Sequence, residues 1–297
     1  MSAIRTPRPG DVNMPRSALD GLTVLITGAA DGIGAATARQ LIAQGARVAL
    51  VDRDAHRLHV TAADLGQAAL PIVADVTDVA SIQEALAQTV QTFGGIHAVI
   101  ANAGIMPTPT LAHQIQAADA EKVMAVNVLG VMNTVSASVP YLLDGGYILV
   151  TASLAALIPV PAGGLYTASK HAVYGYARTL RMELAHLGIN VGTAFLGTVV
   201  TSMSQGVLGS APTKPYWDSL PRFLKVGIPV DSAARAMVRG IGRRSTWVAA
   251  PSWVYLPLLL TYGWSRPLER VAVRNSALRT LTQWTPAVAV VDPAERG

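Results

Sequence analysis

Tyr166 and Lys170 stand one helical turn apart in the stretch Tyr166-Thr167-Ala168-Ser169-Lys170, with Ser153 upstream of them. Residues at this spacing share one face of a helix, so an ammonium lies close to a phenol. A phenol ordinarily loses its proton near pH ~10. A cation beside it favours the phenolate and brings a usable base toward neutral pH. Ser153 lies just past an apolar run, Tyr147 to Thr151, that reads as a strand, and its hydroxyl can reach the same oxygen. These residue types suit acid–base work at an alcohol or carbonyl oxygen. A helix start with a surface tyrosine and a salt-bridging lysine would show the same short pattern, so the elements around it decide.

The 297 residues are 51% apolar and 14% charged, a composition for a large ordered core rather than a disordered chain. The absence of cysteine excludes disulfides, thiolate metal sites and cysteine nucleophiles. The six histidines show no metal-ligand spacing, so no metal site is expected. The net charge is +5, with nine arginines against four acids from Ile228 onward. Those arginines lack the interleaved aromatics of a single-strand binder, and nucleic acid is not expected as a partner. Residues 1–20 read as a disordered N-terminal arm, and Met1 to Ser17 carry no apolar run that could serve as a signal peptide. No stretch reaches the run of apolar residues that a spanning helix needs; the nearest, Trp253 to Trp264, is short and contains Pro257.

Gly21 to Thr27 reads as a short buried strand that runs into Gly28-Ala-Ala-Asp31-Gly32-Ile33-Gly34, followed by helical spacing from Ala35 to Gln44. A strand, a glycine turn and a helix in this order let backbone N–H groups approach a pyrophosphate at the helix N-terminus. A second strand, Ala46 to Val51, ends at Asp52, where a carboxylate can hold the ribose hydroxyls of an adenosine and repel a 2′-phosphate. Asp31 adds negative charge on the same side, while Arg53 could accept a phosphate. The balance favours NAD over NADP. Helical and strand-like runs then alternate: Ala55 to Leu65, Leu70 to Ala74, Ser81 to Thr92 with Asp78 as N-cap, Ala98 to Ala101, Glu121 to Leu143, Gly146 to Thr151, a helix from Tyr166 to about Leu187, and Ile189 to Phe195. This rhythm predicts an α/β fold, a doubly wound parallel sheet of the Rossmann type. A lid is expected over about 198–226, then a helix from Ser232 to Gly242 capped by Asp231 and a last strand from Thr246 to Ala249. Residues 21–250 form the catalytic domain in this reading, and 251–297 an apolar and basic C-terminal extension with a helix from Pro267 to Trp284.

These residues, in this order, resemble the short-chain dehydrogenase/reductase family in its short-subunit branch, over roughly Gly21 to Ala250. Thr27-Gly28-x-x-x-Gly32-Ile33-Gly34 is similar to the family's cofactor turn, and Asp75-Val76 to the pair that holds the adenine. Asn102-Ala103-Gly104 resembles the motif that ends the fourth strand and supports the cofactor. Asn127, Ser153, Tyr166 and Lys170 fall at the spacing of the family's catalytic set. The family's usual Pro-Gly after the sixth strand is Leu196-Gly197 here, but Thr198-Val199-Val200-Thr201 still matches, so Val199 and Thr201 are expected to bind the nicotinamide carboxamide.

The resemblance implies hydride transfer between a secondary alcohol or ketone and nicotinamide. Tyr166 would be the base, Lys170 would lower its pKa and bond the nicotinamide ribose, Ser153 would orient the substrate oxygen, and Asn127 would hold a relay water. The NADPH-dependent reductase and the non-catalytic nucleotide sensor are the alternatives. Leu154 to Pro161, with Trp217 and Phe223 from the lid, predict a hydrophobic substrate contacting Ser153, Leu154, Tyr166 and Trp217. The resemblance also implies a homodimer or homotetramer built on the helices of Asn127 and Tyr166. Their apolar residues (Val123, Val126, Val131, Val135; Val173, Tyr176, Leu180, Leu184) read as burial on both sides. A cytoplasmic location is expected, with the C-terminus as the part that could touch a membrane surface.

Overall fold

The computed structural model describes residues 18–201 and 227–262. Its short Val-, Ile-, Leu- and Ala-rich runs are too apolar to leave either side in water, and they pair as a seven-stranded parallel sheet. In chain order the elements begin β1 (Thr23–Thr27), α1 (Gly32–Ile42), β2 (Arg47–Asp52), α2 (Ala55–Leu65), β3 (Ala69–Val73), α3 (Val79–Phe93) and β4 (Ile96–Ala101). They continue with α4 (Ala117–Met124), α5 (Gly130–Ser138), β5 (Leu142–Thr151), α6 (Gly164–Glu183) and β6 (Asn190–Leu196). A small pair, β7 (Val199–Val200) with β8 (Ile228–Pro229), precedes α7 (Val230–Arg243), β9 (Trp247–Ala250) and α8 (Tyr255–Tyr262).

The sheet order is β3-β2-β1-β4-β5-β6-β9. Period-two alternation supplies both faces: Val24 and Ile26 of β1 enter one core with α1, α2 and α7, while Leu25 enters another with α3. Beside α5 and α6 a third cluster fills the same side of β5 and β6, and Val254 and Leu258 close it from the chain's last described segment. The order turns back between β1 and β4, so a crevice opens at the carboxyl ends of these two strands.

Most elements lie within a few residues of their expected bounds, and the departures have local causes. α7 starts at Val230 with Pro229 as its N-cap, so Asp231 sits inside the first turn instead of capping it. β5 begins at Leu142, earlier than Gly146, because a bulge lets Leu142 pair with Ile96 before regular pairing resumes at Tyr147 with Ala98. The helix expected from Glu121 starts at Ala117 and contains a π-helical segment, Ala125–Leu129, around Asn127.

That helical run, Ala117–Tyr141, is also long and apolar enough to cross a membrane by length and composition, which corrects the expectation that no stretch is. Half of its apolar window is buried in the fold, as expected of a core helix. Most of the apolar residues on the Asn127 and Tyr166 helices are likewise packed into the chain's own core. Val123, Val131, Val135, Val173, Leu180 and Leu184 are all buried, while Val126 and Tyr176 are half-buried and Leu129 is exposed on the same helices. The expected N-terminal arm up to Ser17, the lid beyond Thr201 with Trp217 and Phe223, Trp264 and the helix from Pro267 to Trp284 lie outside the described residues.

Candidate active site

At the end of β1 the chain must turn sharply beneath β4. Gly28 has φ 69°, and a Cβ there would lie 2.8 Å from Ala103 Cα. A Cβ on Gly34 would run into the Gly28 carbonyl oxygen, so this glycine lets the first turn of α1 close on the loop. Asn102 locks the arrangement: its Nδ2 donates to the carbonyls of Thr27 (3.0 Å) and Gly28 (3.2 Å). Thr27 Oγ1 accepts from the backbone N–H of Asn102 (3.1 Å) and of Ala103 (3.2 Å). Asn102 therefore acts on the glycine turn as a brace between β1 and β4.

Asp31 caps α1, its Oδ1 accepting from Gly32 N at 2.6 Å. Asp52, at the tip of β2, accepts from Ala30 N through Oδ2 and from Asp54 N through Oδ1, both at 3.1 Å. This pins a carboxylate beside the glycine turn. Arg53, Asp54 and Arg57 line the same end of the cleft.

The other end is built from β5 and α6. Ser153 follows β5 directly; it accepts from Ala155 N at 3.1 Å and donates to Leu196 O at 3.4 Å. Its hydroxyl also hydrogen-bonds the phenol of Tyr166. Burial pushes the Tyr166 pKa above the ordinary tyrosine value, and the Ser153 bond pulls it partly back. Lys170 is 4% exposed, donates through Nζ to Thr151 O at 3.0 Å, and lies 5.6 Å from the centre of the Tyr166 ring. Burial lowers its pKa to about 8. In the protein by itself burial is the larger influence on both groups, raising the phenol and lowering the ammonium.

Asn127 is fully buried in the π-helical segment. Its Oδ1 accepts from Ile105 N at 2.7 Å, and its Nδ2 donates to Ile105 O at 2.9 Å and Ser169 Oγ at 3.2 Å. Gly104 keeps the space between this residue and the lysine clear, since a Cβ there would lie 3.3 Å from Asn127 Oδ1 and 3.6 Å from Lys170 Nζ.

One cleft of about 500 Å³ joins these parts. Gly28, Asp31, Gly32, Ile33, Asp52, Arg53, Asn102, Ala103, Gly104, Ser153, Leu154, Tyr166, Lys170, Val199 and Thr201 all line it. Asp75 and Val76 do not. Thr77 N and Oγ1 both bond Asp75 Oδ1 and hold its carboxyl below the usual range, and Val76 packs against Gly130. Gly34 stands behind the turn instead of at the surface of the cleft.

The sequence reading missed Asp54 and Arg57 at the polar end and Met106, Pro107, Pro109 and Ala162 at the apolar end. A signal existed for each group. Asp54 precedes a helical run with Arg57 three residues on, and the Pro-x-Pro of 107–109 repeats at 159–161. The backbone bond from Thr110 N to Ala162 O (2.9 Å) ties those two proline walls together.

A parallel sheet wound in this order, with a glycine turn at its switch point, is a nucleotide-binding fold. The profile of the short chain dehydrogenase family matches residues 22–209. A cis-2,3-dihydrobiphenyl-2,3-diol dehydrogenase from Paraburkholderia xenovorans is 36% identical over 218 residues, covering 70% of this chain and 79% of that protein. A short chain dehydrogenase/reductase from Burkholderia phymatum, solved in complex with NAD, superposes with a TM-score of 0.72 at 26% identity, covering 82% of this chain and 93% of the other. A short chain dehydrogenase from Burkholderia cenocepacia in complex with NADP gives 0.70 at 28% identity, covering 78% and 97%. The chain belongs to the short chain dehydrogenase family. It is an oxidoreductase that moves hydride between an alcohol or ketone and a nicotinamide cofactor, NAD or NADP. The turn fits such a dinucleotide: Gly28 and Gly32 line the cleft without a Cβ, and Gly34 lets α1 close behind them.

Proposed function

We propose that this enzyme oxidises a hydrophobic, uncharged secondary alcohol with NAD, using Tyr166 as the acid–base residue. The convergence of Ser153 and Tyr166 carries the reading: both side chains line one cleft, where a substrate oxygen would meet both hydroxyls. The nicotinamide ring supplies the hydride acceptor and, in reverse, the donor. Tyr166 takes the hydroxyl proton, and Ser153 donates to the same oxygen as charge develops on it. Lys170 holds a positive charge beside the phenol and bonds the ribose next to the nicotinamide. Asn127 positions the loop at Ile105 and lies across Gly104 from Lys170, where a water can connect the lysine to solvent. Val199 and Thr201 would bond the carboxamide, and the turn from Gly28 to Gly34 would receive the pyrophosphate.

NAD is favoured because Asp52 is held by two backbone N–H groups at the tip of β2, where its charge would repel the 2′-phosphate of an adenosine ribose bound there. Arg53 and Arg57 at the same end support NADP as the second reading. The hydrophobic substrate follows from the wall after Ser153. Leu154, Ile158, Pro159, Val160 and Pro161 face Met106, Pro107 and Pro109, without an ionisable side chain among them. The dihydrodiol named for the Paraburkholderia relative is of this apolar character. Family members usually assemble as oligomers, and we take a homodimer or homotetramer as the working form. Screening secondary alcohols with NAD, and watching the reduced cofactor appear, tests the proposal. Cyclic apolar alcohols should turn over best; activity confined to small sugars or acids would contradict it.

A further inference from the structure

The amino ends of the strands, at the far side of the sheet from the cleft, carry a second polar group. Parallel register sets Arg47 of β2 beside Thr23 of β1, and the pairing of Val24 with Ala98 brings Thr23 beside His97 of β4. Val24, Val48 and Ala98 enter the core shared with α1, α2 and α7, so alternation turns the three preceding residues to the opposite face. Arg47 is half-buried and anchored by neutral groups. Its NH2 donates to Thr23 Oγ1 at 3.2 Å, and its guanidinium lies 5.2 Å from the centre of the Phe93 ring. His97 Nδ1 accepts from Thr23 N at 3.0 Å, so the neutral ring carries its proton on Nε2 as a donor.

A second guanidinium comes from the end of α7. Arg244 caps that helix in the left-handed conformation, φ 48°, and a Cβ on Gly145 would lie 3.2 Å from its NH1. Gly145 belongs to the part of β5 that bulges beside His97, between the pairings of Ile96 and Ala98. Burial, and then the charges of Arg47 and Arg244, hold the His97 pKa below the usual histidine value. Among the described residues neither guanidinium is paired with a carboxylate: Asp20 lies against Gly45, and Asp144 beside the bulge is exposed. Two like charges thus flank one imidazole with no acid to balance them, an arrangement that an anion would relieve.

We propose that Arg47, His97 and Arg244 form a binding site for a phosphate-class oxyanion, separate from the dinucleotide cleft. Guanidinium forks match phosphate oxygens through paired N–H donors, and His97 Nε2 adds one more donor. The site lies at the opposite ends of β1 and β4 from Gly28 and Asn102, so its anion does not compete with the cofactor.

The test uses the enzyme saturated with its nicotinamide cofactor, because a phosphate also suits the glycine turn. The ring-proton resonance of His97, assigned by its loss in His97→Gln, is followed against pH while inorganic phosphate replaces chloride at constant ionic strength. The His97 pKa should rise saturably by about one unit, a tenfold gain in proton affinity, as the bound anion offsets the two cations. Arg244→Gln, which keeps a long polar side chain at this exposed position, should raise the pKa without phosphate and abolish the response to it. Glycerol 3-phosphate in the same titration separates two sources of the anion: tighter binding than inorganic phosphate assigns the site to a phosphate monoester, and weaker binding to the free ion. A His97 pKa that phosphate leaves unmoved, or that responds equally in wild type and Arg244→Gln, overturns the site.

Discussion

Lys170 donates its Nζ to the backbone carbonyl of Thr151 at 3.0 Å, the residue that ends β5 two positions before Ser153. The lysine is thereby tied to the same strand end that presents the serine. Sheet and helix position the two groups relative to Tyr166 through one hydrogen bond, and the whole set depends on α6 packing against β5.

Burial of Lys170 has a consequence for stability. Its pKa is about 8 in the folded protein against 10.5 for the free side chain, so between these values the unfolded chain binds more protons. Stability should rise with pH from about 8 toward 10.5 on account of this group. The raised pKa values of Tyr147 and Tyr166 act in the opposite sense, but only above the ordinary tyrosine value of 10.0. Chemical denaturation without cofactor should therefore show wild type gaining on Lys170→Met between pH 8 and pH 10. Parallel stability curves would contradict the buried lysine.

The Ser153 hydroxyl lowers the pKa of Tyr166 against the effect of burial. Oxidation needs the phenolate, so its rate should climb with pH. Ser153→Ala should move that alkaline limb of kcat/KM to higher pH as well as reducing its height. A limb that stays in place would show that the serine does not touch the titrating group.

Asn127 satisfies both backbone polar groups of Ile105 from inside the core. Asn127→Ala leaves them without this partner, at a cost of about 1–3 kcal/mol for a buried donor or acceptor. A lower melting temperature should accompany weaker turnover. Loss of turnover with unchanged melting would assign the residue to chemistry alone.

Much of this was legible in the sequence because it depends on local chemistry. The glycine turn, Asp52, Ser153 and the Tyr166–Lys170 spacing each encode their own geometry, and the alternating apolar runs encode the sheet. What was not legible depends on long-range packing. That Asn102 braces Gly28 follows from the meeting of β1 and β4, strands far apart in the chain. The pKa directions of Tyr166 and Lys170 follow from how deeply α6 sinks against β5, which spacing does not report.

The apolar wall makes its own prediction for the substrate. Ile158 is 38% exposed and lines the cleft with no polar group of its own, so a charge there should disturb binding more than chemistry. Ile158→Asp should raise KM for an apolar alcohol by about 10- to 100-fold, the equivalent of one buried aliphatic side chain, with kcat little changed. An unchanged KM would place the substrate elsewhere.

The central claim is that the Tyr166 hydroxyl exchanges the proton of the reacting oxygen. Tyr166→Phe removes that hydroxyl and keeps the ring against which Lys170 lies. Single-turnover oxidation of a secondary alcohol, measured beside cofactor affinity in the same variant, tests it most directly. Turnover should fall by at least 10²-fold, toward the full contribution of a positioned acid–base group, while the dissociation constant of NAD stays within about threefold. Activity within a few-fold of wild type would contradict the account.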